Sequence, residues 1–184
     1  MVSVSIFSGI LLYLCVGCVA RRNWKIEILS ITTKSSDENL LNVHLHVDQA
    51  ALIKTSFSGT FDVKFDTDDK TMIEVIALYS VSGREEDYRR NPYQVPKMTL
   101  TEFIDTYWNE LIYPTLRPCS NFQEFEGKFV PPFPRKSYIM NQCELTGDGS
   151  PDILPIGYYK VLILLSGQAE LNVTLTLKLT PKYI

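Results

Sequence analysis

Between Leu171 and Thr180 every second residue is aliphatic: Leu171, Val173, Leu175, Leu177 and Leu179 alternate with Asn172, Thr174, Thr176, Lys178 and Thr180. Successive side chains of an extended chain point to opposite faces, so this pattern makes a strand with one buried and one solvated face. Phe57, Phe61, Val63 and Phe65 alternate in the same way with Thr60, Asp62 and Lys64, and Leu41, Val43, Leu45 and Val47 with Asn42, His44 and His46. Weaker strand patterns cover 24–31 and 72–81, and turn-forming residues at 34–39 and 66–70 separate the runs. Half-buried strands punctuated by turns predict an all-β fold, an antiparallel two-sheet sandwich or β-cup.

One run breaks the alternation. PDILPIGYYKVLILLSG, residues 151–167, is stiffened by Pro151 and Pro155 and freed at Gly157 before a stretch apolar on both faces. Val161, Ile163 and Leu165 share one face; Leu162 and Leu164 share the other. A sandwich strand needs cover on one face only, so the second is expected to lie under a helix or a bound apolar ligand.

That helix is written in MTLTEFIDTYWNELIYP. Leu100, Phe103, Ile104, Tyr107, Trp108 and Leu111 fall at helical spacing, which predicts one amphipathic helix over about 100–112. Thr99 and Glu102 fit a capping box, and Pro114 is expected to stop the run. Before it, the charged and proline-interrupted stretch 82–97 reads as an exposed loop. After it, Pro131, Pro132 and Pro134 favour an extended or edge conformation with Phe129 and Phe133 projecting.

The first twenty residues carry no charge and end in small residues at Cys18 and Ala20, just before Arg21 and Arg22. This reads as a secretory signal peptide at 1–20, with 21–184 as a single domain. A retained transmembrane anchor and a lipobox around Cys18 are the alternatives. Cleavage removes Cys15 and Cys18 and leaves Cys119 and Cys143, an even count whose economical reading in a secreted chain is one disulfide. Lys and Arg number 18 against 21 Asp and Glu, a net charge of −3 with both signs mixed along the chain. Such a balance argues against nucleic acid as a partner. Once the signal is cleaved, no stable membrane insertion is expected.

Signals of catalysis are sparse. There is no G-x-S-x-G, dinucleotide glycine fingerprint or P-loop. His44, His46 and Asp48 lie at strand spacing on one face and have zinc- or copper-ligand chemistry, but that face is the polar one, so solvated side chains are the better reading. Asp66, Asp68 and Asp69 lack the glycine and glutamate of an EF-hand and read as a hairpin turn. No metal, cofactor or catalytic residue is assigned, and no enzyme is expected. Asn172-Val173-Thr174 is an N-glycosylation sequon whose asparagine falls on the polar face of its strand.

The segment FPRKSYIMNQCELTGDGSPDILPIGYYKVLILLSG resembles the small secreted insect chemosensory proteins called Che proteins, distant relatives of the ganglioside activator family of lipid-binding β-cups. The likeness lies in Pro134, Arg135 and Tyr138, then Cys143, an acidic-glycine turn, and Leu154-Pro155-x-Gly157-Tyr158-Tyr159-Lys160 leading into a long strand. An upstream aromatic helix followed by Cys119 is also similar, so the resemblance covers roughly 99–180. It implies a β-cup whose sheets splay to admit an apolar molecule, with a role in pheromone, taste or reproductive signalling. The mature chain departs from the activators in having one cysteine pair where they have several disulfides.

The leading expectation is a secreted, extracellular, non-catalytic carrier or presenter of a hydrophobic small molecule or lipid. Phe61, Phe65, Val161, Ile163 and Leu165 are the candidates for its pocket wall, with Phe103, Tyr107 and Trp108 as wall or lid. The alternative is an extracellular protein-interaction module on the same fold without a cavity. Either kind of protein has a cell-surface receptor as a candidate partner.

Overall fold

The computed structural model describes residues 22–48 and 55–182. The segment 1–20, expected to be a signal peptide, lies outside the described residues. The strand patterns condense into two antiparallel sheets. The larger sheet orders β1 (Trp24–Ser35), β9 (Leu171–Pro181), β8 (Gly157–Ser166), β4 (Met72–Ser80) and β5 (Arg89–Arg90), with β6 (Val95–Thr99) also paired to β4. The smaller sheet is β2 (Leu41–Asp48), β3 (Ser56–Val63) and β7 (Lys136–Cys143). The two lie face to face as a sandwich, with Leu41, Val43 and Val63 of the smaller sheet and Ile73, Leu171 and Val173 of the larger in one buried cluster.

The sheets are stitched together at the β1–β2 corner. The Thr33 hydroxyl of β1 donates to the Val43 carbonyl of β2 at 2.9 Å, while the Ser36 amide extends the β1–β9 ladder by donating to the Glu170 carbonyl at 2.9 Å. The opposite side is held by one continuous helix, α1. It opens as an α-turn at Leu100–Phe103, widens to a π-helix over Ile104–Ile112 and closes as an α-turn at Tyr113–Leu116. The capping box is present: the Thr99 hydroxyl accepts from the Glu102 amide at 3.2 Å, and the Glu102 carboxylate accepts from the Thr99 amide at 3.0 Å. The Thr99 amide and hydroxyl both donate to the Glu102 carboxylate, which stabilises its ionised form and holds its pKa below the ordinary value.

Pro114 does not stop the helix. The Tyr113 amide donates to the Trp108 carbonyl, an i to i−5 bond, and Pro114 then falls in the first turn of the closing α-helix. At that position a missing N–H and a fixed φ cost little. Two segments before the helix also depart from expectation. Residues between β3 and β4 cross from one sheet to the other, so the aspartates at 66–69 do not make a hairpin turn. Asp68 instead accepts from the Lys70 amide and the Thr71 hydroxyl, both at 3.1 Å, while Asp66 pairs with Arg135. The stretch 82–97 is not merely a loop, because a 3-10 turn at Glu85–Asp87 leads into β5 and β6, which both pair with β4.

Gly157 opens β8 as a glycine must. Its φ is +148°, and a Cβ there would sit 2.8 Å from the Ser80 carbonyl oxygen of the neighbouring strand. From that point β8 runs in register between β4 and β9, so Val161, Ile163 and Leu165 face the interior with Val173 and Leu175 of β9. Helix α1 packs on this inner side and not on Leu162 and Leu164. The outer pair is half-buried by its own sheet, since Leu162 lies between Ile76 and Thr174, and Leu164 between Glu74 and Asn172. The second apolar face of β8 is therefore covered neither by the helix nor by the space the fold encloses.

Candidate ligand cavity

Two sheets in direct contact lie about 10 Å apart with their side chains interdigitated. Here α1 prevents that closure on one side. It starts beside β4 and β6, at the edge region of the larger sheet, and ends against β7, an edge of the smaller one. The helix therefore bridges the open side of the sandwich. Its buried residues Phe103, Ile104 and Trp108 point inward.

The space left between the sheets and α1 is a cavity of about 420 Å³. One wall is Leu41, Val43 and Leu45 of β2 with Phe61 and Val63 of β3. The facing wall is Ile163 and Leu165 of β8 with Leu171, Val173 and Leu175 of β9, and α1 contributes Leu100, Phe103, Ile104, Trp108, Leu111, Ile112, Thr115 and Leu116. All but one of these side chains is apolar, and the volume falls in the range of small-molecule sites. One end is bordered by the turn that contains Leu145, Gly147, Asp148 and Ser150. Gly149 in that turn has a φ of +76°, and a Cβ on it would stand 2.7 Å from Leu111, so the turn rests directly on the helix.

Six of the eight pocket residues expected from the sequence border this cavity: Phe61, Phe65, Phe103, Trp108, Ile163 and Leu165. Val161 and Tyr107 do not. Val161 shares the inner face of β8, but it lies further along the sheet and packs into the cluster of Trp24, Tyr159 and Leu177. Tyr107 is turned aside and meets the Phe103 ring at 5.5 Å between centroids.

An aromatic buttress behind the cavity escaped the sequence reading. Phe122, Phe125, Phe129, Phe133 and Tyr138 pack on Trp108 and on one another. Phe129 and Phe133, expected to project, are buried at 7% and 6% exposure. They turn inward because their amides are held from two sides: Phe129 donates to Asp105 of α1 at 2.6 Å, and Phe133 donates to Thr67 at 2.7 Å. The Trp108 indole donates to the Gln123 carbonyl at 3.0 Å, which locks helix to buttress. Tyr138 is wholly buried and stacks on Phe122 at 4.2 Å, and burial pushes its phenol up to about 12. A proline-rich sequence with alternating phenylalanines gives no period from which such a cluster can be read.

Cys119 and Cys143 form a disulfide with alpha carbons 5.2 Å apart, inside the range such a bond requires. It joins the chain just beyond α1 to the last residue of β7. Asn172 is exposed on the outer face of β9. His44 and His46 are exposed, and His46 lies 3.4 Å from Asp48. Among the described residues no group of three or more His, Cys, Asp or Glu is arranged to hold a metal ion, and no helix is long and apolar enough to cross a membrane.

Comparison with known proteins adds a family-level likeness only. No curated protein matches the chain. A family model described as a protein of unknown function (DUF1091) matches residues 76–161, just under half of the chain, from within β4 through α1 and the disulfide into β8.

Proposed function

We propose that this protein is a secreted, non-catalytic carrier or presenter of a hydrophobic small molecule. The observation that carries the reading is the apolar cavity of about 420 Å³ between the two sheets and α1. Interiors of folded proteins are close-packed, and a void of this size lined by aliphatic and aromatic groups forfeits dispersion contacts that a guest would restore. The buttress behind Trp108 and the disulfide beyond α1 support the reading, because they hold the walls apart without a guest. The resemblance to the Che proteins and to the ganglioside activators points to chemosensory or reproductive signalling as the setting, with a surface receptor as the recipient.

The test is native mass spectrometry of the full chain after production in insect cells, with and without organic extraction. A co-purifying apolar species that extraction removes is the expected result. A ligand-free mass together with no uptake of an apolar fluorescent probe overturns the proposal and favours a protein-interaction module on the same fold.

A further inference from the structure

The cavity wall contains very little polar chemistry, and its distribution is uneven. At the inner end the Thr67 hydroxyl is already engaged by the Phe133 amide at 2.7 Å. The remaining polar side chains, Thr115, Asp148 and Ser150, cluster at the other end. Asp148 is the only exposed residue among the described ones that line the cavity, so this end is the mouth.

No lysine, arginine or histidine lines the cavity among the described residues. Arg22 stands behind the mouth turn. It is committed there: one Nη donates to the Thr146 carbonyl, the other lies 3.4 Å from Asp148, and the guanidinium sits over the Trp24 ring at 4.8 Å. Asp148 also accepts from the Thr146 hydroxyl at 2.7 Å. The mouth thus presents a carboxylate whose charge is balanced by one guanidinium, next to two hydroxyls. Neither the Thr115 nor the Ser150 hydroxyl has a hydrogen-bond partner among the described residues.

We infer that the cavity selects an uncharged, chain-like amphiphile, such as a long-chain alcohol or ester, and discriminates against fatty-acid anions and alkylammonium cations. The inference rests on the carrier reading and narrows its ligand class. An apolar tail fills the inner end. A neutral oxygen at the mouth meets Thr115 and Ser150. A carboxylate placed there loses water and finds, among the described residues, no cation but Arg22, already engaged by Asp148 and the Thr146 carbonyl. An ammonium loses water too and finds Asp148 already neutralised by Arg22.

The experiment is competition against a bound apolar fluorescent probe, using the full chain and submicellar hexadecanol, palmitate and hexadecylammonium at about pH 8, where palmitate is ionised. Hexadecanol is expected to displace the probe at a concentration at least about tenfold below either ion. In D148N, Arg22 is left unneutralised, and the palmitate-to-hexadecanol ratio is expected to shift about fivefold toward palmitate. Palmitate or hexadecylammonium competing as well as hexadecanol in the unmodified protein overturns the inference. So does an unchanged palmitate-to-hexadecanol ratio in D148N. Probe uptake with either of these outcomes leaves the carrier reading standing; a protein that takes up neither probe nor any of the three chains removes both.

Discussion

Cys119 and Cys143, with alpha carbons 5.2 Å apart, tie the end of the bridging helix to the end of β7. The bond closes a loop of 24 residues in separation that contains the whole aromatic buttress. It therefore fixes where α1 meets the smaller sheet. Replacing both cysteines by serine is expected to lower the stability to denaturant by about 3 kcal/mol, from the freed unfolded chain. Urea unfolding followed by tryptophan fluorescence measures it, and a loss below about 1 kcal/mol would show that the buttress alone positions the helix.

Trp108 is the aromatic contact between helix and buttress, 6% exposed and hydrogen-bonded through its indole to the Gln123 carbonyl. Trp108→Ala is expected to cost about 3–5 kcal/mol, the usual range for emptying a large aromatic site. Trp108→Phe keeps much of the ring packing but leaves the Gln123 carbonyl without its donor, so its cost is expected to be smaller. Equal losses in the two variants would contradict this assignment.

Neighbours on β8 offer a paired test of the cavity. Ile163 faces the cavity and Leu162 the outer side of the sheet. Ile163→Phe adds volume where there is space, so stability is expected to change by less than about 1.5 kcal/mol while uptake of an apolar probe falls several-fold. Leu162→Phe is expected to leave uptake alone. Loss of uptake in both variants, or in neither, would refute the assignment of faces.

Acid should loosen the entrance to α1. Glu102 and Asp66 both have pKa values held below the ordinary carboxylate range, Glu102 by hydrogen bonds from Thr99 and Asp66 by its bond to Arg135. A carboxylate with a depressed folded pKa contributes fully above its unfolded value. That contribution is lost as pH falls through the folded value. The denaturation midpoint is therefore expected to decline below about pH 4, and Glu102→Gln should reduce the slope there. An E102Q profile parallel to the unmodified one would rule out the capping box as a source of the acid sensitivity.

Asn172 is exposed on the outer face of β9. If the chain passes through the secretory pathway as proposed, material from eukaryotic cells is expected to lose one glycan mass on enzymatic deglycosylation. N172Q should show no such loss, with stability changed by no more than about 0.5 kcal/mol. Intact-mass measurement decides the first point and thermal unfolding the second.

How much of this was legible in the residues depends on the kind of signal. Period-two alternation located β2, β3 and β9 because each buries a single face. The capping box placed the start of α1 at Thr99, since that signal is local. The end of the helix was misplaced because Pro114 ordinarily ends a helical run, and only the i to i−5 bonding before it shows why this one continues. Strand β7 was missed: Tyr138, Met140 and Cys143 turn inward, but a shift in pairing between Phe57 and Gly59 interrupts the register with β3. The buttress was misread for a different reason, since Phe129 and Phe133 are drawn in by hydrogen bonds from their amides to Asp105 and Thr67, residues far away in sequence.

The two parts of the cavity draw on different stretches of chain. Its walls are hydrogen-bonded strands, whereas its mouth is made by the C-terminal half of α1 and the turn at 145–150, whose side chains take no part in strand pairing. Gly147 and Gly149 of that turn are fixed by their contacts with Trp24 and Leu111, whereas the polar side chains beside them pair with no strand. Thr115, Asp148 and Ser150 are thus the positions at which, in the proposed carrier, a change of preferred guest would leave the strand ladders intact.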